Sequence, residues 1–144
     1  MIDRLLPKYT TSYKTSPTKS DEIFLQMLEH NIIKIEMPED IFISSHLMMR
    51  IDQQIEAFSG SKNKVLMVFN GVEGYSQASK RYIYTKEHTC HYQSLALVLT
   101  KKGEKTILDK HYLQQFMQYS QSKEYYPKAL FSNEHSAVKW LITN

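Results

Sequence analysis

Two largely apolar runs lie in the middle of the chain, at positions 65–69 and 94–99. Runs of this length, bounded by turn-forming residues, predict strands that are buried on both faces. Positions 70–74 predict a turn, and positions 76–88 have the pattern of a helix. A strand, a helix and a second buried strand make a βαβ unit, so the chain is predicted to have an α/β fold.

Two further strands are predicted before this unit, at 23–29 and 32–37. Positions 30–31 suit a tight hairpin because Asn31 tolerates a positive φ. Pro38 is expected to end the second strand, since it has no amide hydrogen to donate to a sheet. A helix then runs from position 44 or 45 to about 58, and its apolar stripe contains Met48, Ile51, Ile55 and Phe58.

The C-terminal third predicts a helix at 106–119, a short strand at 128–131 and a final helix capped by Ser132. The predicted order is β-β-α-β-α-β-α-β-α, with right-handed crossovers from the third strand onward. This order describes an α/β domain with a mixed, mostly parallel five-stranded sheet and about four helices.

The length of 144 residues suits one domain, which we place at residues 21–144. Residues 1–20 are rich in Ser and Thr and are predicted to form a flexible N-terminal arm. The net charge of +3 is too small to indicate nucleic-acid binding. No segment suits a signal peptide or a membrane span, and the single cysteine suits a reducing compartment, so a cytoplasmic protein is expected.

A few residues also resemble a known family. They are an apolar strand followed by Asn70-Gly71-Val72, a serine at 76 that opens a helix, the Leu-Ala-Leu-Val strand, and the tail Tyr126-Pro127-Lys128-Ala129-Leu130-Phe131-Ser132 with Ala137 and Trp140-Leu141. The pattern, over about residues 22–142, resembles the SpoIIAA-like branch of the STAS domains, which are similar in shape to SEC14 lipid-binding modules. It looks most like the small stand-alone members found in Bacteroidetes-type bacteria.

The resemblance implies a regulatory binding module rather than an enzyme. Some STAS members carry a phosphorylatable serine at the start of the helix after a central strand, and Ser76 is the matching position. The acidic residue before that serine and the glycine after it are absent here. The residues alone give Ser76 a simpler role as a helix N-cap, and both roles stay open.

The residue types typical of catalysis or metal binding do not form a recognisable set. His88, Cys90 and His91 lie close together, but a closed zinc site needs four ligands. Cys90 lacks a positioned base and an oxyanion site in the local sequence, so a buried or half-buried thiol is expected. The sequence therefore predicts no metal and no cofactor, and it favours a non-enzymatic protein. An enzyme that uses Cys90 or a histidine is kept as the weaker alternative.

A ligand or partner edge is predicted where the parallel strands end, because open α/β sheets bind ligands there. Its candidate residues are Asn70, Gly71, Glu73, Tyr75, Lys101, Lys102 and Ser132. The leading function is a regulatory or protein-binding module with an unknown protein partner. The alternative is a binder of a small apolar (lipid) or anionic ligand, which would use this edge or a pocket between helices and sheet.

Self-association is a further hypothesis. Four tyrosines fall outside the stripes assigned to the core: Tyr75, Tyr84, Tyr92 and Tyr119. Tyrosine is enriched at protein interfaces, so these residues suit a partner surface. A homodimer is left open, since two-fold pairing is the commonest such arrangement.

Overall fold

The computed structural model describes residues 9–11, 23–60, 62–100, 107–117 and 126–144. The strands within these ranges are β1 Tyr9–Thr11, β2 Ile23–Met27, β3 Ile32–Ile43, β4 Asn63–Tyr75, β5 Tyr92–Leu99 and β6 Lys128–Phe131. The helices are α1 Ser45–Ser59, α2 Gln77–Tyr82, α3 Lys86–Thr89, α4 Ile107–Met117 and α5 Glu134–Thr143. A single 3₁₀ turn, Glu29–Asn31, joins β2 to β3.

All six strands belong to one sheet, and they lie in it in the order in which they occur in the chain. The β1–β2 and β2–β3 pairs are antiparallel, whereas the pairs from β3 to β6 are parallel. The α/β class is confirmed, but the sheet is more evenly mixed than predicted and has a sixth strand. That strand is β1, so Tyr9–Thr11 of the predicted flexible arm is an edge strand.

The two faces of the sheet are covered unequally. One face is covered by α1 and α4. The core on this face contains side chains from the central strands and from both helices, among them Ile35, Met67, Leu97, Ile51, Ile55, Leu113 and Phe116. On the other face, a smaller core is closed by α5 and consists of Ile32, Leu66, Val68, Ala96, Val98, Ala137 and Leu141. This alternation along the central strands explains why their sequences read as continuous apolar runs.

The predicted ends of the second and third strands, which are β3 and β4 of the structure, are wrong. Strand β3 continues past Pro38 to Ile43, because a register shift between Glu36 and Glu39 leaves Pro38 without a ladder bond to make. Strand β4 continues through the predicted turn at 70–74 to Tyr75. Among the described residues, 39–43 of β3 and 70–75 of β4 pair with each other beyond the last partners in β2 and β5. We call this two-stranded extension the β3–β4 ribbon.

The predicted helix at 76–88 is two short helices, so the described residues contain five helices where about four were predicted. Helix α2 ends at Tyr82, and Thr85 begins α3 by accepting a hydrogen bond from the amide of His88. The described part of the chain has no helix long and apolar enough to span a membrane.

Candidate functional site

A cluster of polar and aromatic side chains is buried near the amino ends of β5 and β6. It contains Asp52 of α1, Tyr82 at the end of α2, His88 of α3, Tyr92 at the start of β5 and Tyr126 just before β6. We call it the Asp52 cluster. Asp52 and Tyr92 are each 1% exposed and His88 is 0% exposed, so the centre of the cluster is closed to solvent.

The Asp52 carboxylate is the centre of the hydrogen bonding. Its Oδ2 accepts from the Tyr82 hydroxyl at 2.7 Å and lies 2.8 Å from Nδ1 of His88. Its Oδ1 accepts from the Tyr92 hydroxyl at 2.7 Å. The second ring nitrogen of His88, Nε2, is 2.5 Å from the Tyr126 hydroxyl. One carboxylate therefore connects four other side chains, directly or through the imidazole ring.

These contacts determine the protonation pattern of the cluster. A carboxylate accepts hydrogen bonds and donates none, so Nδ1 of His88 carries the proton that faces Asp52. In the neutral ring Nε2 is then an acceptor, and the Tyr126 hydroxyl donates to it. A neutral His88 with three protonated tyrosines satisfies each of these polar atoms, which is what a buried polar network requires.

The direction of the pKa shifts agrees with this pattern. Burial lowers the pKa of His88, and the hydrogen bond and negative charge of Asp52 offset only part of that effect. Burial, reinforced by Asp52, raises the pKa of Tyr82 and of Tyr92 well above the ordinary value. Burial likewise raises the pKa of Tyr126. The imidazole therefore stays neutral and the phenols stay protonated around neutral pH.

Ring contacts add to the hydrogen bonds. The rings of Tyr92 and Tyr126 stack with centroids 4.9 Å apart, and the His88 ring lies 4.6 Å from that of Tyr92. Lys128 Nζ lies 4.9 Å from the centre of the Tyr126 ring. Burial lowers the pKa of Lys128 to about 7.

The arrangement is better suited to holding the fold than to acid–base catalysis. The Tyr126–His88–Asp52 series has the residue types of a proton relay. Its groups hydrogen-bond to one another, however, and both Asp52 and His88 are closed to solvent. The cluster links α1, α2, α3, β5 and the segment before β6. In the described ranges no group of three or more His, Cys, Asp or Glu side chains is placed to hold a metal ion.

The sequence contained one signal for this cluster. Asp52 falls on the apolar stripe of α1, between Met48 and Ile55, where a charged residue needs a buried partner. The local sequence around its partner His88 indicates only a candidate metal ligand, because Cys90 and His91 lie beside it. Tyr92, assigned to an outer surface, is buried; Tyr75 and Tyr84 are partly buried against the core, and Tyr119 lies outside the described residues.

The candidate edge residues lie at the opposite end of the sheet. The Asn70 side-chain amide donates to the Met37 carbonyl at 3.1 Å. Oδ1 of Asn70 accepts a hydrogen bond from the Thr100 hydroxyl at 3.2 Å. Gly71 packs against Asp40. These contacts hold the base of the β3–β4 ribbon to β5.

The remaining candidates are spread along the same end. The Tyr75 hydroxyl donates to Gln115 of α4 at 3.0 Å, and the Glu73 side chain is exposed. Ser132 is exposed but does not cap α5, because Asn133 accepts the first-turn amide of Ser136 at 2.8 Å. Lys101 and Lys102 lie outside the described residues.

Ser76 directly follows the ribbon. Its hydroxyl accepts from the amide of Ser79 at 3.0 Å, which makes it the N-cap of α2. Its own amide donates to the carbonyl of Ile43, the last residue of β3, at 2.9 Å. Ser76 is therefore attached to the end of the ribbon as well as to α2.

Large apolar side chains are exposed at this end of the sheet. Phe42, in the ribbon, is 49% exposed, and Met49, in the second turn of α1, is 44% exposed. Phe42 pairs with Gly74 of β4, and a Cβ on Gly74 would lie 3.5 Å from the Phe42 ring. The ring therefore lies over backbone that carries no side chain, with its other side towards solvent.

Residues 26–143 match a protein-family model described as a domain of unknown function, DUF7793. No curated protein and no solved structure matches the chain.

Proposed function

We propose that this chain, which belongs to the DUF7793 family, is a non-enzymatic, protein-binding regulatory module. The family description names no activity, so the proposal rests on the geometry of the chain itself. Its contact surface is the end of the β3–β4 ribbon together with the start of α1. The STAS-like resemblance of the sequence agrees with this role, since modules of that kind act by binding other proteins.

The exposure of Phe42 is the observation that carries the proposal. A phenylalanine buries a large apolar area when it is covered, and aromatic residues dominate the binding energy of protein interfaces. Phe42 projects from a ribbon that extends beyond its neighbouring strands, so among the described residues no strand flanks the ring. Exposed Met49 at the same end enlarges the apolar area.

Ser76 gives this surface a means of regulation. It lies where the ribbon ends and is bonded to Ile43, one residue from Phe42. A phosphate on its hydroxyl would add negative charge beside the apolar contact and would replace the cap of α2. We therefore keep Ser76 as the proposed regulatory position.

The test is comparative capture from an extract of the native cell. The wild-type chain, Phe42→Ala and Ile142→Ala are immobilised in equal amounts, and the retained proteins are quantified by mass spectrometry. Ile142 is the control because it is also a large apolar residue, 40% exposed, and it lies on α5. A protein retained by wild type and Ile142→Ala but lost with Phe42→Ala is the expected result.

Two outcomes would overturn the proposal. Equal retention of every protein by Phe42→Ala places the contact elsewhere on the molecule. A small apolar or anionic compound that co-purifies with the chain, detected by native mass spectrometry, would favour the ligand-binding alternative instead.

A further inference from the structure

His88 joins two parts of the molecule that are far apart in the chain. Its Nδ1 lies 2.8 Å from Oδ2 of Asp52 on α1, and its Nε2 lies 2.5 Å from the Tyr126 hydroxyl, just before β6. Within the described ranges this is the one hydrogen bond that the Tyr126 hydroxyl makes. We call Tyr126, Pro127 and β6 the β6 segment. The His88 ring therefore attaches the start of the β6 segment to the buried polar groups.

This attachment depends on a neutral imidazole. In the neutral ring Nδ1–H donates to Asp52, and the lone pair of Nε2 accepts from Tyr126. An imidazolium carries a hydrogen on both nitrogens, so the contact with Asp52 is kept, but Nε2–H then meets the hydrogen of the Tyr126 hydroxyl. That hydroxyl must turn away, and the described residues offer its hydrogen no other acceptor. A buried donor without an acceptor destabilises the closed arrangement.

The groups around His88 also oppose a positive charge on its ring. They come from every element packed against it: Asp52 of α1, Tyr82 of α2, Tyr92 of β5, Tyr126 and Lys128 of the β6 segment, and His91 beyond the end of α3. Its neighbours on α3, Lys86 and Glu87, are exposed. Burial, together with Lys128 and His91, lowers the pKa of His88 more than Asp52 raises it.

The β6 segment is the part that can move in response. Strand β6 has four residues, lies at an edge of the described sheet with β5 as its neighbour, and has no fully buried residue. Lys128 Nζ lies 4.9 Å from the centre of the Tyr126 ring, and the His88 ring lies 5.6 Å from the same ring. In acid, two positive charges therefore flank Tyr126. Moving the segment away separates them and lets water reach the imidazolium.

We propose that His88 is an acid sensor that releases the β6 segment from β5 when its ring is protonated. Proton binding at Nε2 removes the acceptor of the Tyr126 hydroxyl, and Tyr126 leaves the Asp52 cluster. The amide of Leu95 then loses its hydrogen bond to the Pro127 carbonyl, which is 3.0 Å long in the closed form. The sheet loses its sixth strand while the other five stay paired.

The direction of the pH dependence follows from the burial of His88. The pKa of His88 is lowered in the closed form and returns towards its ordinary value of 6.5 once water reaches the ring. Below that value the open form binds more protons than the closed form, so acid favours opening. Each pH unit should raise the open population by up to about tenfold, until the closed form also takes up the proton.

The experiment follows amide hydrogen exchange of the full chain by NMR from about pH 7 to about pH 4.5, with rates corrected for the intrinsic effect of pH. The Leu95 amide reports release of the β6 segment, and the amide of buried Leu66, in the central strand β4, reports global unfolding. His88→Gln is the test variant, because its side-chain amide can donate to Asp52 and accept from Tyr126 but does not titrate. Below pH 6.5, the protection of Leu95 should fall by up to about tenfold per pH unit further in wild type than in His88→Gln.

His91→Gln is the matched control and should keep the acid-dependent loss of the wild type. His91 lies at the surface beside Cys90, which is exposed rather than buried or half-buried as the sequence indicated. The same loss at Leu95 in His88→Gln as in wild type would overturn the proposal. So would a loss at Leu66 equal to that at Leu95, because acid would then unfold the whole sheet.

A titration of the wild-type chain keeps the proposal testable should His88→Gln fail to fold. The His88 ring is followed by NMR through the same pH range as the Leu95 amide. The two curves should coincide, and a ring that gains its proton while Leu95 stays protected contradicts the release.

Discussion

The two ends of the sheet reverse the usual distribution of polar and apolar groups. At the amino ends of β5 and β6, an aspartate, a histidine and tyrosines are buried and bonded to one another. At the carboxyl ends of β3 and β4, a phenylalanine is half exposed. Buried polar groups are stable only when their partners are fixed, whereas an exposed aromatic ring gains stability when another surface covers it. We infer that the amino end serves the fold and the carboxyl end serves binding.

The largest effect is expected from Asp52→Ala, which tests the amino end. The substitution leaves the buried Tyr92 hydroxyl and Nδ1 of His88, and the partly buried Tyr82 hydroxyl, without their acceptor, at a cost of about 3–5 kcal/mol. The melting temperature should fall by about 10 °C or more. Glu56→Ala, one turn along α1 and exposed, should change stability by less than about 0.5 kcal/mol. Similar losses for the two variants in urea unfolding would show that the cluster contributes little to the fold.

Gly71→Ala tests whether the base of the β3–β4 ribbon is rigid, as the pairing of β3 with β4 indicates. Gly71 has φ of +113°, and an added Cβ would collide with the Asp40 carboxylate and lie 3.2 Å from the Asp40 backbone nitrogen. We expect a loss of about 2–4 kcal/mol in the free energy of unfolding.

Gly60→Ala is the control for the backbone effect alone. Gly60 also has a positive φ, +80°, but an added Cβ would meet nothing within 4 Å. Its loss should be about 1 kcal/mol. If thermal unfolding gives equal losses for both glycine variants, Asp40 moves freely and the base of the ribbon is not rigid.

Lys128→Met tests the electrostatics of the amino end through pH. The folded-state pKa of Lys128 is lowered from 10.5 to about 7, so between these values the unfolded chain binds more protons. Stability therefore rises with pH across this range, and the charged amine opposes folding at its lower end. Lys128→Met should be more stable than wild type by about 1 kcal/mol at pH 7, allowing for partial exposure, and the gain should shrink towards pH 10.5.

The measurement is chemical denaturation of both proteins at a series of pH values from 7 to 9.5. The tyrosines titrate in both proteins, so their contribution cancels in the difference. Lys139→Met, at an exposed site on α5, is measured alongside as the control for replacing a lysine by methionine. A gain for Lys128→Met that is constant with pH would mean that apolar burial, not removal of a charge, produces it.

The smallest effect on stability is expected from Phe42→Ala. The ring is half exposed, so the loss should stay below about 1 kcal/mol, whereas Phe69→Ala, at 2% exposure in the same sheet, should cost about 3–5 kcal/mol. Urea unfolding of the two variants measures the difference. A loss for Phe42→Ala as large as that for Phe69→Ala would identify the ring as part of the core and remove the reason to place a partner there.

The central strands were predictable because their signal is local. The apolar runs at 65–69 and 94–99 lie in β4 and β5, and helices α1, α4 and α5 begin within two residues of the predicted positions. The ends of β3 and β4 were missed because Pro38, Gly71 and Gly74 normally stop strands. Here a register shift accommodates the proline, and the two glycines adopt positive φ within the strand.

The candidate sites were harder to predict because they depend on distant residues. Asp52 and His88 are 36 positions apart, and His88 and Tyr126 are 38 apart. No local pattern pairs them, although the acid on the apolar stripe of α1 indicated that a partner was needed. The exposure of Phe42 also follows from the length of the ribbon rather than from its own neighbours. The STAS-like assignment and the binding role stay predictions.

The strictly sequential strand order has a consequence for the path of folding. Each strand joins the edge formed by the strand before it, so every parallel pairing closes a short crossover that holds one or two of the described helices. The sheet can therefore grow in one direction along the chain. The Asp52 cluster does not follow this progression. Asp52 belongs to the first crossover, but its last indirect partner, Tyr126, is reached only after β5 and α4. In a partly formed sheet the Asp52 cluster would lack Tyr126, so the polar groups around Asp52 would be incompletely hydrogen-bonded. We therefore expect folding intermediates to be sparsely populated and β6 to dock in a single cooperative step.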